Sequence, residues 1–185
     1  MSNREAIEYE EFNNVDFSFK SYNDMDMTGI YSENVVFKAC EFQGTYMNDC
    51  TFSKCNFGSS TFFHAGISDC NFDNCNLKGC DMEEAVLNVS YCKGSCFDDI
   101  NISNGELGGT MLINCSMKNA VITNVDAEGV VFDNTDLSGT DFSNSNLKKA
   151  SFLNAKLDNI IWKGADISEA KFDLGVIEKI EKLIE

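Results

Sequence analysis

The chain repeats itself every five residues. The beat is plain in Ala150-Ser-Phe-Leu-Asn, Ala155-Lys-Leu-Asp-Asn, Ile160-Ile-Trp-Lys-Gly, Ala165-Asp-Ile-Ser-Glu and Ala170-Lys-Phe-Asp-Leu. A small or apolar residue comes first and a large apolar residue third. The register holds backward from Phe172 to Phe12, and on that path only Ser32, Cys92 and Ala127 lack a large apolar side chain at the third position. Every Phe except Phe19 and Phe63 falls there, so the third position is the core. A period of five is neither the 3.6 of a helix nor the 2.0 of a strand, so each unit must join a short extended piece to a turn.

The fifth position supplies the turn. It is mostly Asn or Gly, as in Gly79, Gly94, Asn104, Gly109, Asn114, Asn119, Asn124, Gly129 and Asn134, residues that tolerate positive φ. The chain has no proline, as a ladder needing every backbone N–H requires. Core residues also sort by every fourth unit. Phe12, Phe52, Phe72, Phe132, Phe152 and Phe172 share one 20-residue phase, whereas Met27, Met47, Ile67, Leu87, Leu107, Ala127, Leu147 and Ile167 fill another. Twenty residues per coil gives about eight coils, a rod of roughly 38 Å at the ~4.8 Å strand spacing.

At this length, with the repeat covering nearly all of it, a single domain is expected. Residues 1–11 are weakly in phase and are expected to form a frayed or capping arm, residues 12–172 the repeat, and residues 173–185 a short amphipathic helix. In that helix Val176, Ile177, Ile180, Leu183 and Ile184 fall at helical spacing and Asp173 can cap the N-terminus. It can serve as a lid over the last coil, as a dimer contact, or as both. Glu10 and Lys20 at the small inward position and Ser32 at the large one imply looser first coils.

The residues that carry a family resemblance are Thr135-Asp-Leu, Thr140-Asp-Phe, Ser145-Asn-Leu and Ala165-Asp-Ile, with Cys70-Asn-Phe, Cys75-Asn-Leu and Cys80-Asp-Met as looser copies. They match the A-(D/N)-(L/F)-x-x signature, and the chain resembles the pentapeptide-repeat proteins over residues 12–172. The resemblance implies an all-β fold, a right-handed quadrilateral parallel β-helix with first and third residues pointing inward. With no loop interrupting the repeat, the chain looks more like the mycobacterial gyrase-binding members than the loop-bearing quinolone-resistance members.

Net charge is −16, from 30 acidic and 14 basic side chains, which disfavours phosphate contacts and nucleic-acid binding. The N-terminus has no leader-like pattern and no apolar run reaches membrane-spanning length, so a cytoplasmic protein without membrane attachment is expected. Seven cysteines, Cys40, Cys50, Cys55, Cys70, Cys75, Cys80 and Cys115, sit at the first position beside Ala, Ser and Thr and read as small core filler. Their spacing suits neither a metal site nor a C-x-x-C motif. Cys96, outside the inward positions, is the thiol expected to react.

No catalytic constellation emerges, and no cofactor is expected. His64 falls at a turn position without a Ser or Cys partner, and the paired acids occupy outward positions. What is left for function is surface. Residues 148–185 hold seven acids and seven lysines, so the charge belongs to the rest of the rod. Asp69, Asp73, Asp81, Glu83, Glu84, Asp98, Asp99 and Glu106 concentrate it in the middle coils. Two uses follow. The family resemblance implies a protein partner, with DNA gyrase as the specific candidate, bound by carboxylates standing where duplex phosphates would lie. Alternatively the acids serve only solubility, and a scaffold contact uses the outward column Tyr91, Met111 and Val131, with Ile113 beside it.

Overall fold

The computed structural model describes residues 5–180. Its elements are β1 (Glu11–Asn13), β2 (Tyr31–Glu33), β3 (Thr51–Ser53), β4 (Asn71–Asp73), β5 (Tyr91–Lys93), β6 (Met111–Ile113) and one helical turn, α1 (Ile177–Ile180). The six strands form one parallel sheet in chain order. Each pairs with the next at an offset of 20 residues, Glu11 with Tyr31 and Tyr31 with Thr51. The same offset governs single bridges on three further columns, starting at Ala6, Asp16 and Ser21. The chain is therefore a β-solenoid of four-sided, 20-residue coils. Its four faces are named here by their rungs: the Ala6 face, the β1–β6 face, the Asp16 face and the Ser21 face, in chain order.

The turn chemistry read from the sequence operates at every corner. Every fifth position from Tyr9 to Glu169 has positive φ, whether it is Asn, Gly or another residue. Most L-residues reach that region at a cost of roughly 1–2 kcal/mol, which Gly avoids and Asn or Asp reduces. The exceptions to the preferred types are informative: Val89 is held at φ 61° and Phe19 at φ 63°, with 65% and 78% of their surface exposed. The ladder imposes the conformation there regardless of the side chain.

The core fills with aromatic stacks. Phe37 lies on Phe57 at 4.9 Å, Phe42 on Phe62 at 4.8 Å and Phe52 on Phe72 at 5.1 Å between ring centroids. A second stack runs from Phe132 to Phe152 to Phe172, the last pair 4.9 Å apart and nearly parallel. Offset stacking across successive coils follows from the ~4.8 Å rung spacing itself.

The first position does more than fill space. Cys50 Sγ donates to the Met27 carbonyl at 3.1 Å, Cys80 Sγ to Phe57 at 3.1 Å, Ser60 Oγ to Phe37 at 2.7 Å and Thr140 Oγ1 to Met117 at 2.8 Å. Each carbonyl belongs to a third-position residue 23 residues earlier. Hydroxyls at this position also accept from the N–H one coil back, as Ser60 does from Cys40 at 2.9 Å. Cysteine is thus a buried donor as well as filler. All nine are free, and all but Cys96 are buried. Burial pushes the Cys80 thiol up to about 12.

The two ends differ. The ladder starts earlier than the sequence register suggests, because Ala6 already bridges Asp26 and the Ile7 N–H reaches the Asp26 carbonyl at 2.9 Å. Residues 5–11, set apart in the sequence as an arm, are laddered to the next coil. The core opens at this end into a cavity of about 230 Å³ lined by Ile7, Phe12, Phe17, Lys20, Tyr22, Met27 and Phe37. Glu10 and Lys20 are exposed there, and the Lys20 ammonium stands 4.7 Å from the Phe17 ring centre. Ser32, one coil in, is fully buried between Phe12 and Phe52. At the other end Ile180 of α1 is buried and Val176 packs against the last core residues. Ile177 is exposed, and Leu183 and Ile184 lie outside the described residues.

Candidate interaction surface

The 20-residue register decides which outward side chains are neighbours, and it divides the eight middle-coil acids among all four faces. Asp81, Glu83 and Glu84 belong to the Ser21 face, since Asp81 bridges Thr61 and Asn101. Asp69 and Glu106 belong to the Ala6 face, Asp73 to β4, and Asp98 with Asp99 to the Asp16 face beside rung Cys96. No single surface holds them all.

Sorting every charge by face gives a clearer pattern than position along the chain. The Ser21 face carries Asp24, Glu41, Asp81, Glu83, Glu84 and Asp141 against Lys163, with the exposed Lys20 at the corner where the face begins. The Ala6 face carries Glu8, Asp26, Asp49, Asp69, Glu106, Asp126, Glu128, Asp166 and Glu169 against Lys148 and Lys149. These two faces adjoin, because the chain turns from one directly onto the other. On the Asp16 face Lys38, Lys78, Lys118 and Lys156 nearly balance five aspartates, and on the β1–β6 face Lys54, Lys93 and Lys171 offset most of the acids. A linear tally of charge along the chain hides this pattern, because each face recurs only every 20 residues.

Ladders of side-chain hydrogen bonds hold the carboxylates in place. Asn101 Nδ2 donates to Asp81 Oδ1 at 3.1 Å, Asn104 Nδ2 to Glu83 at 3.3 Å, and Asn88 Nδ2 to Glu106 at 2.6 Å. His64 Nε2 lies 2.8 Å from Glu84, which gives the lone histidine an acidic neighbour on this face. On the Asp16 face Asp98 accepts from Ser116 Oγ at 2.5 Å and the Lys118 N–H at 2.9 Å. The Asn119 amide and then the Lys78 ammonium hold the Asp99 carboxyl below its usual range. Asp136 is the extreme case. Burial would raise it, but the Ser138 hydroxyl, Lys156 and the Ser138 N–H together hold it down to about 2. On the Asp16 face Asp99 and Asp136 are therefore tied up in internal pairs with lysines, whereas on the Ser21 face Asp81 and Glu83 are bonded by neutral amides and, among the described residues, no lysine pairs with an acid of that face.

Tyr91, Met111 and Val131 are successive rungs of the β1–β6 face, with Ile113 in β6 beside Met111. Tyr91 and Met111 are exposed, Val131 and Ile113 half-buried, and the exposed Leu153 extends the patch by a coil. Cys96 is half-buried on the Asp16 face between Asn76 and Ser116. Among the described residues no group of three or more His, Cys, Asp or Glu is placed to hold a metal ion, and no helix is long and apolar enough to cross a membrane.

Comparison with known proteins yields no match among curated sequences. Among solved structures the chain is similar to HetL, a pentapeptide-repeat protein involved in heterocyst differentiation regulation from the cyanobacterium Nostoc sp. strain PCC 7120. The TM-score is 0.75 at 16% identity, over 91% of this chain and 85% of that one. It is also similar to trypsin-treated QnrB1, a plasmid-mediated fluoroquinolone resistance protein, with a TM-score of 0.55 at 14% identity, over 93% of this chain and 98% of that one. These likenesses concern the fold. The sequence itself matches the family models "pentapeptide repeats (8 copies)" over residues 67–104 and "pentapeptide repeat region" over residues 109–181. With the five-residue beat, the left-handed fifth position and the four-sided coil all present, the chain belongs to the pentapeptide-repeat proteins.

Proposed function

We propose that this protein is a non-enzymatic binding module that presents its two adjoining acidic faces to a basic protein surface. The observation that carries this reading is the sorting of charge onto the adjoining Ser21 and Ala6 faces, with Asp81, Glu83 and Glu84 on the first and Glu106 and Asp126 on the second, one and two coils beyond the Val86 rung that follows Glu84. A stiff acidic edge with rungs every ~4.8 Å offers a basic channel much of what a duplex backbone offers. The finer form of the proposal is DNA mimicry toward a type II topoisomerase such as bacterial DNA gyrase, in keeping with the structural likeness to a fluoroquinolone resistance protein. Asp73, Asp98 and Asp99 lie off that edge and are left out of the contact.

The test is supercoiling by purified gyrase with this protein titrated in, with and without a quinolone. Two variants accompany it: Asp81→Asn, Glu83→Gln, Glu84→Gln and Glu106→Gln combined, and Asp73→Asn, Asp98→Asn and Asp99→Asn combined. Inhibition or protection that is lost in the first and kept in the second supports the proposal. No effect of the native protein at stoichiometric excess removes gyrase, and equal loss in both variants removes the acidic edge. A second reading, a scaffold contact through Tyr91, Met111 and Val131, is favoured by their stacking on successive rungs, with Tyr91 and Met111 exposed and Val131 half-buried. Binding of that kind tolerates salt, whereas binding through the acidic edge weakens steeply with it.

A further inference from the structure

The β1–β6 face combines an apolar centre with opposite charges placed symmetrically about it. Met111 and Ile113 share one strand, β6, and both reach the surface. One coil before them stands Lys93, the register partner of Ile113. One coil after them stands Asp133, whose main-chain carbonyl accepts the Asn114 N–H at 3.2 Å. The Lys93 ammonium makes no ion pair among the described residues. Asp133 Oδ1 takes the Ser151 hydroxyl at 2.6 Å and the Leu153 N–H at 3.1 Å, and Oδ2 has no hydrogen bond among the described residues.

We propose that this face is a homodimer interface, with a second copy packed antiparallel about a two-fold axis running along the Met111–Ile113 rung. The operation reverses the order of the coils. It therefore sets Lys93 opposite the partner's Asp133, Asp133 opposite the partner's Lys93, Tyr91 opposite the partner's Val131, and Met111 with Ile113 against their own copies. Such a self-complementary patch is what an isologous contact requires. A parallel arrangement would instead bring Lys93 level with the partner's Lys93 and Asp133 level with the partner's Asp133. Charge also says why the partner is this same chain and why this face is used. A molecule of net charge −16 is repelled from its own Ser21 and Ala6 faces, and the Asp16 face pairs Lys78, Lys118 and Lys156 internally and has no apolar column. The β1–β6 face lies opposite the Ser21 face, so a dimer formed here leaves the acidic edge exposed on both copies.

Sedimentation equilibrium across micromolar to submillimolar protein, at low and moderate salt, tests this with Lys93→Glu, Asp133→Lys and an equimolar mixture of the two. Each single reversal turns both symmetry-related pairs repulsive and weakens the dimer by about tenfold or more. The mixture restores it, because Glu at 93 in one copy then meets Lys at 133 in the other, and the remaining Asp133 meets the remaining Lys93. Met111→Glu, which sets two carboxylates on the axis, abolishes the dimer without touching the core. Circular dichroism keeps the fold in view, and because Asp133 also holds Ser151, Lys93→Glu and Met111→Glu carry the test if Asp133→Lys unfolds. A monomer at every concentration overturns the proposal. So does a dimer indifferent to Lys93→Glu and Met111→Glu, the result expected of association through α1.

Discussion

Ser32→Ala and Ser60→Ala make the same chemical change in the same core and are expected to move stability in opposite directions. Ser32 takes the large inward position; its side chain is wholly buried between Phe12 and Phe52, and its hydroxyl has no hydrogen-bond partner among the described residues. A buried hydroxyl left unpaired costs about 1–3 kcal/mol, so deleting it stabilises by about 1 kcal/mol once the lost contacts of the oxygen are allowed for. Ser60 takes the small inward position, donating to the Phe37 carbonyl at 2.7 Å and accepting from the Cys40 N–H at 2.9 Å. Its removal takes the shorter hydrogen bond from each of these groups, leaving them only the Cys40 N–H to Phe37 carbonyl bond at 3.3 Å, and costs about 1 kcal/mol. Urea unfolding followed by circular dichroism and by fluorescence of Trp162 reads both. With slopes of about 2–3 kcal/mol per molar, the midpoints should separate by about 1 M, one above and one below the native value. Equal destabilisation by the two variants would refute the reasoning, since it would mean that the Ser32 hydroxyl is as well satisfied as that of Ser60.

Val89→Asn should stabilise by about 1 kcal/mol, because it relieves a β-branched residue held at φ 61° while removing a side chain that is mostly exposed; a lowered thermal midpoint would contradict this. Phe57→Ala removes a ring stacked on Phe37 and set edge-on to Phe52, at a cost of about 3–5 kcal/mol by urea titration, and a loss below 1 kcal/mol would mean that the stack closes over the gap. Asp136, held down to about 2 against an ordinary carboxyl near 3.8, contributes stability that is complete above pH 4 and is lost as pH falls toward 2. Asp136→Asn should therefore be less stable than native at pH 5 by about 2 kcal/mol and converge with it near pH 2, and a constant difference across that range would rule out the linkage. Cys80→Ser keeps a donor to the Phe57 carbonyl and should unfold near the native midpoint, whereas Cys80→Ala should fall about 1 kcal/mol lower.

The amino-acid sequence by itself determined the coil. A five-residue beat with a large apolar third position, Asn or Gly at the fifth and no proline admits little besides a stacked parallel ladder, and the 20-residue sorting of Phe from aliphatic residues announced the register that the bridges take. The stacking of Tyr91, Met111 and Val131 followed from the same count. Two matters were decided only by the tertiary structure, and a third, already contained in the 20-residue count, is hidden when charge is read along the chain. The bonding role of Cys, Ser and Thr at the first position depends on a carbonyl 23 residues away, which one coil must bring over another before it can be seen. The start of the ladder at Ala6 rests on backbone hydrogen bonds, to which side-chain pattern is blind when the pattern is weak. The division of the middle-coil acids among four faces arises because neighbours in the sequence turn corners while neighbours in space lie 20 residues apart. Charge read along the chain placed the acidity in the middle of the rod, and charge read around it places the uncompensated acids on two adjoining sides.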